Sequence, residues 1–349
     1  MGEIIVGNRK IGQGHPPFII AEMSGNHNQS LDKALEMVCA AKEAGADALK
    51  MQTYTPETMT LDIDENEFMI NEQGNLWQGK SLYQIYKKAY TPWEWHEKIF
   101  SLARKLELNI FSSPFDETAV DFLEELNPPC YKIASFEIVD IPLIKKAAAT
   151  GKPLIISTGM ASIREIADAV EAAGQAGCKD LILLKCTSNY PAPPEYCNLL
   201  TIPHMEQLFN CQVGLSDHTL GIGVAVASVA LGATVIEKHF TLSRSEEGVD
   251  APFSLEPDEM RQLVIETNRA WQALGKVNYG PTLGEKNSLK RRRSLYVIKD
   301  MEGGEEFTKD NLGRIRPGVG LEPKYYDILI GKKVVKSIPK GTPVDWSLI

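Results

Sequence analysis

The chain has 349 residues, of which 43% are hydrophobic and 24% are charged, a composition typical of globular proteins that excludes a disordered or fibrous class. Its formal net charge of −9 argues against a nucleic-acid partner or an anionic membrane surface, although a local basic pocket for an acidic ligand remains compatible with it. No apolar run approaches the roughly 20 residues that a membrane-spanning helix needs, and the start MGEIIVGNRK lacks the pattern of a secretory signal.

The cysteine pattern indicates a reducing compartment. Six cysteines are scattered along the chain without a CxxC pair, whereas a disulfide framework is typical of shorter chains with denser cysteines. We therefore expect buried free thiols and a cytoplasmic protein.

Eight short apolar runs, most of them separated by a helix-like segment, follow one another in the first 240 residues. Runs that are apolar throughout are typical of parallel strands buried on both faces. The intervening segments have helical periodicity, as in SLDKALEMVCAAKEAGAD, where Ser30 is a candidate cap. Eight strand-helix units predict a closed (β/α)8 barrel. The runs cover residues 18–23, 48–54, 109–115, 130–135, 153–160, 181–190, 212–218 and 234–240.

One connection is too long for an ordinary loop of such a barrel. Residues 55–90 are rich in aromatic side chains and follow the second run, so they lie on the face where barrel enzymes hold their active sites. We expect this insertion to be a lid or a substrate wall.

The character of the sequence changes after the last long helical pattern, EPDEMRQLVIETNRAWQALG at 256–275. Short alternating segments with turn residues begin at Ser294 and predict a small, mainly β domain. We therefore expect a barrel at 1–280, a linker at 281–293 and the small domain at 294–349. The basic run KRRR at 290–293 is too short and isolated to be a nucleic-acid patch and is expected to be a solvated linker or a domain contact.

All eight predicted strands end in polar residues, at the end of the barrel where active sites lie. A lone serine at a strand end is commonly a helix cap, so the inference depends on their convergence. The set comprises Glu22; Lys50 and Gln52; Ser112 and Ser113; Lys132 and Ser135; Ser157 and Thr158; Thr187, Ser188 and Asn189; Ser216, Asp217 and His218; and Glu237, Lys238 and His239.

His218 and His239 end consecutive strands, so their imidazoles are candidate ligands of a divalent metal. The alternative is that each one hydrogen-bonds a neighbour. Two imidazoles leave most of an octahedral shell open, which suits Mn²⁺ or another divalent ion that holds water and a substrate oxygen. Asp217 and Glu237 are weaker candidates, because adjacent residues of a strand point to opposite faces.

The second cluster combines ammonium and hydroxyl groups, which together favour a bound anion such as a phosphate or a phosphate with a carboxylate. The alternative for Lys132 is a structural ion pair with Glu137 or Asp140. The cluster consists of Lys50, Lys132, Ser113, Ser135, Ser157, Ser188 and Ser216.

These motifs resemble the sialic acid synthase family. FIIAEMSGNHNQS, AGADALKMQTYTP, FSSPFD, YKIASFEI, STGM, LLKCTSNYP, GLSDHT and VIEKHFT occur in the family's order, and the tail with RRSLY and RPGVG resembles its antifreeze-like (SAF) domain. The resemblance implies a transferase that condenses phosphoenolpyruvate with an amino-sugar aldehyde.

The finer pattern resembles one branch of that family. Neuraminate synthases usually carry Ile-Gly-Ile-Asn-His-Asn-Gly after Ala-Glu, whereas this chain has MSGNHNQS, and the insertion contains LYQIYKKAYTPWEWH. Both departures are similar to the branch that uses 2,4-diacetamido-2,4,6-trideoxy-L-altrose, the pseudaminic acid synthases. The alternatives are a neuraminate or legionaminate synthase, an aldolase on the same barrel, and a non-catalytic sugar-binding or ice-binding protein.

The resemblance also implies roles for individual residues. His218 and His239 match the family's Mn²⁺ ligands, for which Mg²⁺ or Co²⁺ are alternatives, and Glu22 matches the acidic residue beside the reacting carbons. Arg316 matches an arginine that reaches the sugar from a partner subunit, which implies a domain-swapped homodimer. The phosphoenolpyruvate positions are Lys132, Ser113, Ser135, Ser157, Ser188 and Ser216, and Lys50, Gln52, Tyr190 and the sugar-contacting Asp250 complete the site.

Overall fold

The computed structural model of the chain describes residues 2–71, 77–246 and 248–349. The chain divides into two compact units, Met1–Gly275 and Lys276–Ile349. Within the described ranges no helix combines the length and apolar character that a membrane span needs, and all six cysteines are free thiols.

Eight parallel strands of the first unit close into a barrel in sequential order, with the last strand paired to the first. Each strand lies within one of the eight predicted runs, so the predicted (β/α)8 barrel is confirmed. A short antiparallel hairpin of β1 and β2 precedes the barrel. The strands are β1 Ile4–Val6, β2 Arg9–Ile11, β3 Phe18–Glu22, β4 Ala48–Thr53, β5 Asn109–Pro114, β6 Tyr131–Ile133, β7 Leu154–Ser157, β8 Leu181–Cys186, β9 Gln212–Asp217 and β10 Val235–His239.

Helices follow the strands and cover the outside of the barrel. Ser30 caps the first of them, since its Oγ accepts a hydrogen bond of 3.3 Å from the amide of Lys33, as the sequence predicts. The helices of this unit are α1 Leu31–Ala44, α2 Pro56–Met59, α3 Leu82–Ala89, α4 Trp93–Lys105, α5 Glu117–Leu126, α6 Ile141–Ala148, α7 Ile163–Gln175, α8 Thr201–Phe209, α9 Gly223–Ala230 and α10 Pro257–Leu274.

The inside of the barrel is apolar at the amino ends of the strands. The hairpin side chains Ile4, Val6 and Ile11 join these inward-facing residues in one buried cluster, which closes that end. The hairpin is not among the predicted elements, although Gly-Asn at 7–8 between two short runs is a turn signal. The inward-facing members from the barrel strands and the residue before β6 are Phe18, Ile20, Ala48, Phe111, Cys130, Ile155, Ile182, Leu184 and Val235.

Strand periodicity then decides which polar residues enter the barrel. Because side chains alternate between faces, the residues two positions beyond the apolar layer also face inward. Glu22 follows Ile20 in this way, Lys50 follows Ala48, and Lys132 follows Cys130. The carboxyl end of the barrel is therefore polar inside.

The insertion after β4 contains α2 and α3, and residues 72–76 of the predicted lid lie outside the described residues. Ser81 caps α3 through a hydrogen bond from the amide of Gln84. Whether this segment acts as a lid stays a prediction.

The second unit has a small core of its own around an antiparallel pair, β11 Ser294–Val297 and β12 Leu312–Ile315, with one short helix, α11 Tyr326–Leu329. Isolated bridges add further β pairing, as at Met301 and Ile338. Buried apolar side chains from the whole unit, including Phe307 and Val344, form its core. This is the small β-rich domain that the sequence predicts.

Candidate active site

A carboxylate that the sequence analysis ranked low lies at the centre of the polar end of the barrel. Glu237 Oε1 is 3.5 Å from Lys50 Nζ and 3.7 Å from Lys132 Nζ, and it accepts a hydrogen bond of 3.3 Å from Ser216 Oγ. All four side chains are buried. Glu237 therefore joins the β4, β6 and β9 contributions to the site into one charged cluster.

Glu22 forms the other half of this cluster. Its Oε2 lies 2.7 Å from Lys50 Nζ, and its Oε1 accepts a hydrogen bond of 3.0 Å from Gln52 Nε2. Lys50 Nζ also lies 3.3 Å from Ser113 Oγ. The predicted residues of β3, β4 and β5 thus contact one another directly.

Burial and charge shift these groups in different directions. Burial raises the pKa of Glu22, and the Glu237 charge adds to this effect while Lys50 opposes it. Burial also lowers the pKa of Lys132, which Lys50 reinforces and Glu237 opposes. For Lys50 burial acts downward, but the charges of Glu22 and Glu237 outweigh it and raise its pKa. The cluster therefore holds Lys50, whose charged form is favoured, beside Lys132, whose Nζ contacts Glu237 and donates to the Ile133 carbonyl.

Several buried polar atoms in this region lack a hydrogen-bond partner within the protein. They include Ser157 Oγ, Glu237 Oε2 and His239 Nδ1. Because an unpaired buried polar group is costly, such atoms at one end of a barrel are typical of a site that a ligand completes.

The serines after β6 and β8 form a second contact that depends on a glycine. Ser135 Oγ lies 2.9 Å from Ser188 Oγ. Gly159 has φ +48°, and a Cβ on it would lie 2.5 Å from Ser135 Cβ and 2.8 Å from Ser188 Oγ. The STGM motif therefore brings β7 close to this pair because it has a glycine there.

The two predicted imidazoles do meet. The ring centroids of His218 and His239 are 5.3 Å apart, and Tyr190 and Phe253 enclose them at 4.4 Å from His218 and 5.0 Å from His239, respectively. His218 Nδ1 lies 2.9 Å from the carbonyl oxygen of Thr187. A hydrogen bond from Nδ1 to that carbonyl orients the ring and leaves Nε2 for another partner.

The donor set of this pair fits an open divalent-metal site. His239 Nδ1 is buried without a hydrogen-bond partner and lies 3.7 Å from Asp250 Oδ2. Burial, together with the charge of His218, holds the pKa of His239 well below its ordinary value, so its ring is neutral, as a metal ligand must be. Among the described residues, no group of three or more His, Cys, Asp or Glu side chains is arranged for a metal. Two imidazoles fill only part of the coordination shell of a divalent ion, which would leave positions for water and substrate.

Other polar residues at the strand ends face outward and are structural. Lys238 Nζ donates to Asp217 Oδ2 at 2.8 Å, on the side opposite Ser216 and Glu237. Ser112 and Thr158 also point away from the interior, towards Thr53 and the Leu184 carbonyl, respectively. The low rank of Asp217 as a metal ligand agrees with this placement.

Three expectations about the site need correction or completion. Lys132 pairs with Glu237 rather than with Glu137 or Asp140. Glu237 was ranked low as a metal ligand on the ground that adjacent residues of a strand point to opposite faces, yet it lies two residues from His239 and so shares its face. Arg316 lies exposed in the second unit, directly after β12. The functional roles of the predicted residues stay predictions.

Two further residues of this region are not among the predicted site residues. Phe253 belongs to a single 3-10 turn and packs against His239. Glu137 follows β6, and burial raises its pKa to about 7. Both lie in loops at the carboxyl end of the barrel, and their positions after predicted strands were the signal in the sequence that could have identified them.

Comparisons with known proteins agree with this architecture. The model of the NeuB family matches residues 37–279, and that of the SAF domain matches residues 292–349. The chain belongs to the NeuB family. The resemblance to sialic acid synthases is thereby confirmed, and the protein is an enzyme of the transferase class.

The similar proteins include bacterial synthases of two kinds. A pseudaminic acid synthase of Helicobacter pylori is 46% identical, with 94% of this chain and 96% of that protein covered. A pseudaminic acid synthase of Campylobacter jejuni is also 46% identical, with 93% and 94% covered. The crystal structure of an N-acetylneuraminic acid synthetase from Leptospira borgpetersenii in complex with citrate has a TM-score of 0.74 at 34% identity, and covers 82% of this chain and 95% of that one.

Proposed function

We propose that this enzyme is a pseudaminic acid synthase. It condenses phosphoenolpyruvate with 2,4-diacetamido-2,4,6-trideoxy-L-altrose and water, with a divalent metal, to give pseudaminic acid and phosphate. The observation that carries the proposal is the 46% identity to the Helicobacter pylori pseudaminic acid synthase over nearly the whole of both chains. The site geometry supports it, because a buried cationic cluster lies beside a pair of imidazoles at one end of the barrel.

The cationic cluster is suited to the anionic substrate. Lys50 and Lys132 supply two buried ammonium groups, and β5, β7 and β9 contribute the buried hydroxyls of Ser113, Ser157 and Ser216. A phosphate or carboxylate that enters this cluster receives charge-assisted hydrogen bonds. These groups position phosphoenolpyruvate and neutralise its charge. The paired Ser135 and Ser188 extend the same wall.

The imidazole pair is assigned to the sugar aldehyde. His218 and His239 would hold the metal, which when bound acts as a Lewis acid on the aldehyde oxygen. Thr187 fixes the ring of His218 through its carbonyl, and Tyr190 and Phe253 pack against the imidazole pair. Mn²⁺ is the proposed ion, and Mg²⁺ and Co²⁺ suit the same open shell.

The chemistry balances with one water. Carbon 3 of phosphoenolpyruvate forms a bond to the aldehyde carbon, and the aldehyde oxygen takes up a proton to become a hydroxyl. The positive charge that develops at carbon 2 is satisfied by addition of water, which loses a proton. The bond between carbon 2 and the bridging oxygen then breaks, and phosphate leaves. Glu22, held by Lys50 and Gln52, either stabilises that charge or accepts the proton of the water.

We also propose a cytoplasmic homodimer in which Arg316 serves the sugar site of the other subunit. Arg316 is exposed and lies in a unit separate from the barrel, so its guanidinium is available to bind a carbonyl oxygen of a substrate acyl group. No nucleic acid or membrane takes part in this activity.

The function is tested by phosphate release from phosphoenolpyruvate with a panel of sugars, with Mn²⁺ and with EDTA. We expect release with the altrose derivative, and its loss with EDTA. Release with N-acetylmannosamine but not with the altrose derivative would reassign the enzyme to the neuraminate branch. Release with no hexosamine-derived sugar would overturn the synthase assignment, in favour of an aldolase or a sugar-binding protein.

A further inference from the structure

Ser24, in the loop after β3, has a backbone conformation that serine rarely adopts. Its φ is +45°, in the left-handed region where glycine carries no steric penalty, and its side chain is buried. A glycine here would relieve the backbone and lose only the hydroxymethyl group. Since strained residues concentrate at functional sites, the contacts of that hydroxyl need an explanation.

The hydroxyl of Ser24 joins two residues of the site. Its Oγ donates a short hydrogen bond to Asp250 Oδ2 and accepts a bond of 3.1 Å from Gln52 Nε2. Gln52 Nε2 also donates to Glu22 Oε1 at 3.0 Å. One hydroxyl thus links the β4 amide to a carboxylate on the loop after β10.

The same loop fixes Asp250 from its other side. Asn26 Oδ1 accepts a hydrogen bond of 3.3 Å from the amide of Asp250, and Asn26 Nδ2 donates to the Phe240 carbonyl at 2.8 Å. Backbone position and carboxylate orientation at Asp250 are therefore both set by residues 24–26. Asp250 also lies beside His239, so it faces the imidazole pair.

These bonds determine which hydrogen-bond acceptors of Gln52 and Asp250 remain for a ligand. Both hydrogens of the Gln52 amide nitrogen have partners, so its carbonyl oxygen remains as an acceptor. Ser24 occupies one oxygen of Asp250, so the second oxygen remains. Gln52 and Asp250 therefore offer a ligand only these two acceptor oxygens, which suits a ligand edge with few hydrogen-bond donors.

We propose that Ser24 is a specificity-determining residue for the sugar. This inference depends on the proposed function. The altrose derivative has a methyl group at carbon 6 and an acetamido group at carbon 4, whereas N-acetylmannosamine has a hydroxyl at both positions and so brings more donors. Ser24 takes one acceptor oxygen of Asp250, so a hydroxyl of N-acetylmannosamine is left without a partner. Ser24 therefore favours the altrose derivative, which has fewer hydroxyls.

Two substitutions separate the hydroxyl from the backbone. Ser24→Gly removes the hydroxyl and relieves φ, and Ser24→Ala removes the hydroxyl and keeps the Cβ. Ser30→Ala is the matched control, because Ser30 lies in the same loop but caps α1 away from the site. Steady-state constants are measured for phosphoenolpyruvate, the altrose derivative and N-acetylmannosamine, together with the thermal midpoint.

We expect both Ser24 variants to raise KM for the altrose derivative and to reduce its kcat/KM preference over N-acetylmannosamine by about tenfold. KM for phosphoenolpyruvate stays at the wild-type value. Ser24→Gly keeps or raises the thermal midpoint, whereas Ser30→Ala lowers it and leaves the sugar preference unchanged.

A wild-type sugar preference in both Ser24 variants would overturn the inference. It would also be overturned if Ser24→Gly kept the wild-type sugar preference and its thermal midpoint fell as far as that of Ser30→Ala. Failure of the wild-type enzyme to release phosphate with either sugar would contradict the proposed function itself. That result is distinguishable, because it appears before any substitution is made.

Discussion

The ammonium group of Lys238 lies 2.8 Å from Asp217 Oδ2, on the outer side of two strands whose inner side carries Ser216 and Glu237. Both partners of this pair are buried. Asp217 Oδ1 also accepts a hydrogen bond from the amide of Thr219, and Lys238 donates to the Thr219 carbonyl. The pair therefore fixes the chain where β9 turns away from the barrel.

Asp217→Ala should act on stability rather than on substrate binding. The substitution leaves the Lys238 charge buried without a counter-ion, which costs about 3–5 kcal/mol of the free energy of unfolding. Urea unfolding measures this loss, and KM for phosphoenolpyruvate at low temperature should remain at the wild-type value. The double variant Asp217→Leu, Lys238→Met should recover much of the stability. A stable Asp217→Ala protein with a strongly raised KM would contradict the structural role.

His218→Ala should remove metal-dependent turnover and leave the fold intact. The two imidazoles would be the only protein ligands of the ion, so the loss of one removes half of the ligands that the protein supplies. Bound manganese after dialysis and turnover in added Mn²⁺ are the measurements. His96→Gln is the control, because His96 is equally buried but bonds Thr53 and the Pro92 carbonyl outside the site. Manganese retained by His218→Ala at the wild-type level would refute the assignment.

Acid should destabilise the barrel through two histidines outside the site. Burial lowers the pKa of His27 and of His96 to about 4. The charge of His96 further lowers the pKa of His27, and the charge of Glu94 partly opposes the shift at His96. The unfolded chain, with an ordinary histidine pKa near 6.5, binds more protons between pH 6.5 and 4, so the free energy of unfolding falls as the pH drops through that window. The contribution of each residue is up to roughly 3 kcal/mol.

His96→Gln tests this dependence. Urea midpoints measured from pH 7 to pH 4.5 should fall less steeply for His96→Gln than for the wild type, since one of the two groups no longer takes up a proton. Equal slopes would show that His96 is already protonated in the folded protein.

Mixed dimers test the proposed role of Arg316 in the partner's site. Arg316→Ala and His218→Ala homodimers should both be inactive or nearly so. A dimer with one subunit of each kind should recover activity, because the intact barrel of the Arg316→Ala subunit receives the partner's Arg316. Co-expression with two affinity tags isolates this dimer. Absence of recovery in a folded mixed dimer would place each arginine in its own subunit's site or outside it.

The sequence predicted the barrel because strand burial and polar strand ends are local patterns. Lys50, Lys132 and His239 enter the interior by simple alternation from apolar inner residues of their own strands, and His218 follows Ser216 in the same way. The same rule places Glu237 inside, because it lies two residues from His239 and shares its face. That residue was therefore within reach of the sequence.

Other features depend on closure of the barrel, which sequence patterns do not encode. Ser24 and Asp250 are 226 positions apart and meet because β10 pairs with β3. The loop that holds Ser24 was the segment in which this chain departs from the neuraminate pattern, yet the left-handed φ and the contact with Gln52 follow from three-dimensional packing. The partner of Lys132 likewise lies on β10, far along the chain.

The central claim is the condensation of phosphoenolpyruvate with the altrose derivative through cleavage of the carbon–oxygen bond. Phosphoenolpyruvate labelled with oxygen-18 in the bridging position is incubated with the enzyme, Mn²⁺ and the altrose derivative, and the products are analysed by mass spectrometry. We expect a nine-carbon diacetamido keto acid without the label, and phosphate that carries it. The label in the organic product, or no nine-carbon product from this sugar, would contradict the account.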